Sequence, residues 1–210
     1  MNGLPVFKTH LEVKDIPWDT INSDLDEAES IPPLIENEFL GTAVTTIQLK
    51  KRRDLDSWAQ AYRDKVVDIA KTIFPTLSNP DYNYITQLHG AWFNRYRNQG
   101  KANWHTHQSY VDFVVVWYLQ ASPDMGGFVC KHKGTEHVIK VSTGDILVFP
   151  GTLDHSSEPN TSGQERFLMS NNICITRQTA SKLAKDLDKS VLDQLYCKRQ
   201  DEIYKLLGQL

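Results

Sequence analysis

The sequence predicts a mostly β protein with helices flanking an antiparallel jelly-roll core, and three observations carry that expectation. Between residues 90 and 176, short segments rich in β-branched and aromatic residues are separated by turn signals, with no helical pattern between them. Such spacing indicates an antiparallel barrel or jelly roll, not βαβ units. Helical periodicity is confined to the flanks. The 210 residues, 40% hydrophobic and 23% charged, have the balance of a single globular domain. That domain is expected to span 1–210, with N-terminal strands and a supporting helix in 1–85, the jelly-roll core in 86–176 and a C-terminal helix in 177–210.

Residues 6–13 alternate loosely and read as a strand, and 42–49 (TAVTTIQL) as another. Residues 17–37 between them are acidic and hold Pro32-Pro33, so a short helix and a loop are expected, either a connector or a lid. Residues 54–74 make the clearest helix. Asp54 or Asp56 can cap its start, Trp58, Tyr62, Val66, Ile69 and Ile73 keep helical spacing, and Pro75 ends it. Its apolar stripe is a face for packing on a sheet. Strands are expected at 91–97, 109–120, 127–131, 137–141, 145–149 and 166–176. The breaks hold Asn98-Gln99-Gly100, Pro123 to Gly127, Thr143-Gly144-Asp145 and Asn160 to Gly163. Helical spacing returns over 180–207 through Leu183, Leu187, Val191, Leu195, Ile203 and Leu206, a stripe suited to covering a sheet.

Lys plus Arg is 23 and Asp plus Glu 26, a net charge of −3, which argues against a general grip on nucleic acid. The one basic run, Lys50-Lys51-Arg52-Arg53, reads as solvated surface. No apolar run approaches the roughly 18 residues of a bilayer-spanning helix. The opening residues MNGLPVFK lack the basic and apolar regions of a signal peptide. Cys130, Cys174 and Cys197 are too few and too widely spaced for a disulfide framework, so a cytoplasmic protein is expected.

Of seven histidines, three stand out. His105 and His107, in NWHTH, are two apart at the mouth of a strong strand, and residues i and i+2 of an extended chain point to the same face. His155 follows the 145–149 strand and can add a third imidazole from across the barrel. A close pair plus a distant single ligand makes a facial metal site with open positions. Arg166, eleven residues after His155, can clamp a carboxylate in bidentate fashion; its alternative is a surface pairing with Glu165 or Glu158. His132 and His137, in a lysine-rich hairpin, are expected to be exposed, and His10 and His89 carry no partner signal.

Taken in order, the segments WFNRY (92–96), Gly100, HTH (105–107), VWYLQ (116–120), Gly126-Gly127, GDILVFP (144–150), His155 and 166–172 resemble the Fe(II)- and 2-oxoglutarate-dependent oxygenases. They are most similar to a small group from bacteria and phages that shares an HxH motif. The resemblance covers roughly 92–175. It implies a double-stranded β-helix, related to the cupins, with iron at one end of the barrel and 2-oxoglutarate as co-substrate. It further implies oxygen-dependent hydroxylation of a C–H bond, with release of succinate and carbon dioxide. By position, His105 and His155 match the two histidine ligands, and Arg166 matches the partner of the distal carboxylate of 2-oxoglutarate. Tyr118 and Tyr96 are further candidates to hydrogen-bond the co-substrate, although strand parity counted from His107 places Tyr118 on the opposite face. Ser170 and Asn172 match the polar end of the arginine strand, where they line the site or satisfy backbone groups.

The wider superfamily has a carboxylate where this chain has His107. Three neutral imidazoles leave a ferrous site its full +2 charge. Asp112 and Asp154 are the alternatives to His107 as third ligand, Asp154 being better placed to orient an imidazole N–H. The substrate is expected to be a small molecule or a peptide. Two rivals stand beside this reading: a three-histidine cupin-type dioxygenase that does not use 2-oxoglutarate, and a non-catalytic jelly-roll module.

Overall fold

The computed structural model describes residues 3–31, 42–49, 60–73, 84–107, 111–177 and, near the C-terminus, 201, 203–205 and 207. In chain order its elements are β1 (Phe7–His10), α1 (Trp18–Ser30), β2 (Val44–Thr45), α2 (Gln60–Ile73), β3 (Tyr84–Tyr96), β4 (Phe113–Gln120), β5 (Phe128–His132), β6 (Thr135–Ile139), β7 (Asp145–Pro150), β8 (His155–Ser157) and β9 (Arg166–Arg177). The larger sheet runs β1-β7-β4-β9-β3-β2 and the smaller β6-β5-β8, with antiparallel pairing throughout. A bridge between His105 and His155 extends the smaller sheet beyond β8. This is the jelly roll that the spacing of strands and turns predicts.

Alternation along the strands divides the apolar residues into two layers. The run FVVVWYLQ of β4 is buried over its first seven positions, as an apolar strand covered on both faces must be. Phe113, Val115, Trp117 and Leu119 join Ile146, Val148, Phe167 and Met169 beneath the helices, which contribute Ile21 and Leu25 of α1 and Tyr62, Val66 and Ile69 of α2. Tyr62 stacks on Trp117 at 5.3 Å between ring centroids and donates from its hydroxyl to Asn171 Oδ1 over 2.6 Å. Val114, Val116 and Tyr118 face the other way, into the space between the sheets, with Leu147, Phe149 and Leu168. Arg95, buried on β3, ties α1 to the sheet through Asp26 and Glu29, each at 2.9 Å.

Several elements differ from expectation. The first strand is only Phe7–His10. The second shrinks to Val44–Thr45, because the chain turns into a 3-10 helix at Thr46–Leu49, where Thr45 Oγ1 accepts from the Ile47 amide over 3.3 Å. A threonine hydroxyl that bonds its own backbone competes with strand pairing despite β-branched composition. Within the acidic segment the helix, α1, runs over Trp18–Ser30 and is capped by Ile31 (φ −92°, ψ 128°), which precedes Pro32 and is therefore pushed out of the helical region; 32–37 lie outside the described residues. β3 starts at Tyr84, before the residue 91 expected, and β8 has no counterpart in the sequence reading. Asp54, Asp56, Trp58, Pro75 and the basic run at 50–53 lie outside the described residues, as do Leu183, Leu187, Val191, Leu195 and Leu206. Ile203 and Leu207 are helical and buried in the core under the helices. Among the described residues no helix is long and apolar enough to cross a membrane.

Candidate metal centre

Backbone pairing assembles the three histidines. The His105 amide donates to the His155 carbonyl over 2.9 Å and the His155 amide to the His105 carbonyl over 3.0 Å, so the two residues face each other directly. The His107 amide donates to the Gly151 carbonyl over 2.8 Å, which anchors the extended segment two residues further on. Ring centroids lie 4.2 Å apart for His105 and His155, 5.4 Å for His105 and His107, and 5.3 Å for His107 and His155. One nitrogen from each ring falls within 4.8 Å of the others, a set able to hold a single metal ion.

Two of the rings are oriented by carbonyls. His105 Nδ1 donates to the Asn103 carbonyl and His155 Nδ1 to the Leu153 carbonyl, each over 2.8 Å, leaving Nε2 with its lone pair in both. Burial is the largest influence on all three and disfavours the charged form. It lowers His105 against the opposing pull of the Asn103 carbonyl, brings His107 down to about 4 with help from the nearby His105, and puts His155 well below the ordinary value. All three are neutral at pH 7, the state that binds a metal.

The histidines line one part of a cavity of about 380 Å³ between the sheets, which Tyr96, Val116, Tyr118, Ser157, Ser170 and Asn172 also line. Arg166 is 1% exposed. Its Nη1 donates to the Met125 and Gly126 carbonyls, both at 2.9 Å, its Nη2 to Ser157 Oγ at 3.1 Å, and its guanidinium carbon lies 4.5 Å from the Tyr96 ring centroid. Its Nε has no partner. Gly126 permits this cradle: it holds φ +85°, and a Cβ there would meet the Glu158 and Pro159 carbonyls at 2.7 Å and Arg166 Nη1 at 3.1 Å. The surface pairing weighed for Arg166 is not formed, since Glu165 pairs with Arg97 and Glu158 with Lys140.

Tyr118 is buried on the cavity side, against the parity counted from His107. That count fails because His107 does not belong to β4, which begins at Phe113. Burial raises the Tyr96 and Tyr118 phenols, so both are neutral donors. Neither aspartate joins the histidines. Asp112 is buried beside β9, its amide donating to the Ile173 carbonyl over 2.9 Å. Asp154 points outward toward Lys131 at 3.9 Å, and backbone carbonyls do the orienting expected of it. His132 and His137 are half-buried, not exposed, and His132 stacks on Tyr204 at 6.2 Å.

Sequence reasoning left Asn94 and Ser157 without a role. Asn94 lines the cavity two residues before Tyr96, its Nδ2 donating to Ser170 Oγ over 3.2 Å while its Oδ1 has no partner. Its parity with Tyr96 was the available signal. Ser157 sits two residues after His155 on the same strand and offered the same clue.

No family model and no curated protein matches the chain. Solved structures do. The chain is similar to the non-heme alpha-ketoglutarate-dependent carbocyclase SnoK of nogalamycin biosynthesis, at 11% identity and a TM-score of 0.55 over 83% of this chain and 82% of that one. It is similar to the viral collagen prolyl hydroxylase of Paramecium Bursaria Chlorella virus-1, solved with 2-oxoglutarate, at 15% identity and 0.53 over 81% and 96%. It is also similar to a Pseudomonas putida prolyl-4-hydroxylase, at 17% identity and 0.51 over 81% and 92%. The chain spans about half, 55%, of a further match, a Burkholderia pseudomallei oxidoreductase of the 2OG-Fe(II) oxygenase family. The fold is that of the 2-oxoglutarate- and Fe(II)-dependent oxygenases.

Proposed function

We propose that the chain is an Fe(II)- and 2-oxoglutarate-dependent dioxygenase that hydroxylates a C–H bond of a small-molecule or peptide substrate in the cytoplasm. The observation that carries this reading is the pairing of three neutral, convergent imidazoles with a buried arginine whose Nε–H is unclaimed. His105, His107 and His155 would hold the iron. The donor set fits, since nitrogen ligands on one face suit ferrous iron with positions left open. When bound, iron and 2-oxoglutarate supply the oxidising chemistry, with oxygen consumed and succinate and carbon dioxide released.

The chain's own residues do the binding and orienting. Arg166 is preset for an anion: carbonyls occupy Nη1, and the adjoining Nε and Nη2 edge is the one that grips a carboxylate side-on. Ser157, bonded to Nη2, belongs to the cavity wall and so joins the guanidinium to the binding space. Tyr96 and Tyr118, as neutral phenols, donate hydrogen bonds to an acceptor-only dianion such as 2-oxoglutarate. The apolar side chains of β4 keep the space dry.

Anaerobic titration with Fe(II) and 2-oxoglutarate tests the proposal. A weak visible charge-transfer band that requires both additions is expected. Arg166→Ala should weaken 2-oxoglutarate binding 10- to 100-fold while sparing iron, the equivalent of about 1.5–3 kcal/mol for a charged hydrogen-bond partner. Iron binding indifferent to 2-oxoglutarate would favour the three-histidine cupin-type dioxygenase, which accounts for His107 but leaves the Arg166 edge unused. Absence of metal affinity would leave a binding module.

A further inference from the structure

We propose that Asn172 is a positioning residue for His107: its side-chain carbonyl accepts one ring N–H of that imidazole and so turns the other ring nitrogen toward the metal. The inference rests on the metal centre proposed above.

A local device orients the other two rings. His105 and His155 each donate Nδ1–H to the carbonyl two residues upstream, at Asn103 and Leu153. For His107 the carbonyl two residues upstream is that of His105, and it already receives the His155 amide at 3.0 Å in the bridge that joins the two strands. A second bond to that carbonyl would compete with the bridge, and an acceptor on another element avoids the conflict.

β9 supplies it. Arg166, Leu168, Ser170 and Asn172 alternate along its inward face, and Asn172, paired in register with Val114 of β4, lines the same cavity as His107. Its Oδ1 is buried and has no partner. An unsatisfied buried carbonyl is costly, and a ring N–H at this place satisfies it. The need is specific to the HxH form. A carboxylate in the place of His107 has no second N–H to satisfy, whereas an imidazole does, and a neutral acceptor meets it without adding charge to the site.

The Co(II)-substituted protein provides the test, by proton NMR in light and heavy water. Each cobalt-bound imidazole whose second N–H is shielded from exchange gives one paramagnetically shifted, exchangeable line. Three such lines are expected in the native protein. Asn172→Leu should lose one line and bind Co(II) 10- to 100-fold more weakly, the usual consequence of removing a group that orients a ligand. Asn172→Asp, which keeps the acceptor, should restore the third line. Three lines and native affinity in Asn172→Leu, or in Asn172→Ala should the leucine variant not fold, would overturn the inference. Failure of Asn172→Asp to restore the line would do the same. Two lines in the native protein would overturn it as well, since the third ring would then lack a shielded N–H, and no shifted lines would remove the metal centre itself.

Discussion

Protonation of the three imidazoles is governed by their surroundings before any metal arrives. Each titrates lower in the fold than in the unfolded chain, so as pH falls the unfolded chain takes up protons first. Stability of the metal-free protein is therefore full above about pH 6.5 and is lost as pH falls from there toward about 4, where His107 itself protonates. At 1.36 kcal/mol per unit, His107 alone accounts for on the order of 3 kcal/mol across that window. Thermal melts in EDTA between pH 7.5 and pH 4.5 should show a progressive fall in Tm. A flat profile would contradict burial as the controlling influence. At this scale the sequence was informative where spacing is short. The two-residue separation of His105 and His107 correctly puts them on one face, because a single extended segment carries both. The parity counted for Tyr118 failed because the count ran across the break between the histidine segment and β4, and parity does not survive such a break.

Elements deliver these side chains, and the loop between β7 and β8 bears a tight constraint. A Cβ on Gly151 would lie 2.3 Å from the Val111 carbonyl oxygen, while the Gly151 carbonyl holds the His107 amide and the next strand carries His155. Gly151→Ala should therefore cost about 2 kcal/mol or more in urea denaturation, as overpacked sites do. It should also weaken metal binding about tenfold, a further 1.4 kcal/mol, read by Fe(II) or Co(II) titration. Unchanged affinity with lowered stability would separate the loop from the site. The strands of the jelly roll were readable because β-branched runs between glycine and asparagine turns leave few alternatives. Thr45 and Thr46 were misread for the opposite reason: their composition favours a strand, and their hydroxyls bond to nearby backbone amides instead. β8 escaped notice because three residues, His155-Ser156-Ser157, have neither the length nor the apolar character that marks a strand.

For the whole molecule, ligand binding and folding are linked. Iron plus 2-oxoglutarate at a hundredfold excess over the dissociation constant should add about 2.7 kcal/mol under anaerobic conditions. For a chain of this size that corresponds to a rise in Tm of roughly 5–10 °C. EDTA should reverse it, and 2-oxoglutarate without metal should give much less. The architecture was legible at this scale from the placement of strands and helices along the chain. The contact that occupies Arg166 Nη1 and leaves Nε open was not, because it depends on Met125 and Gly126, 41 and 40 residues away in sequence. The reciprocal main-chain bonds between His105 and His155 bring a last consequence. Both residues are fastened strand to strand by main-chain atoms that would take no part in coordination, so under the proposed function an emptied centre would forfeit its chemistry without surrendering its scaffold. A molecule stripped of its ion would then be rechargeable without refolding.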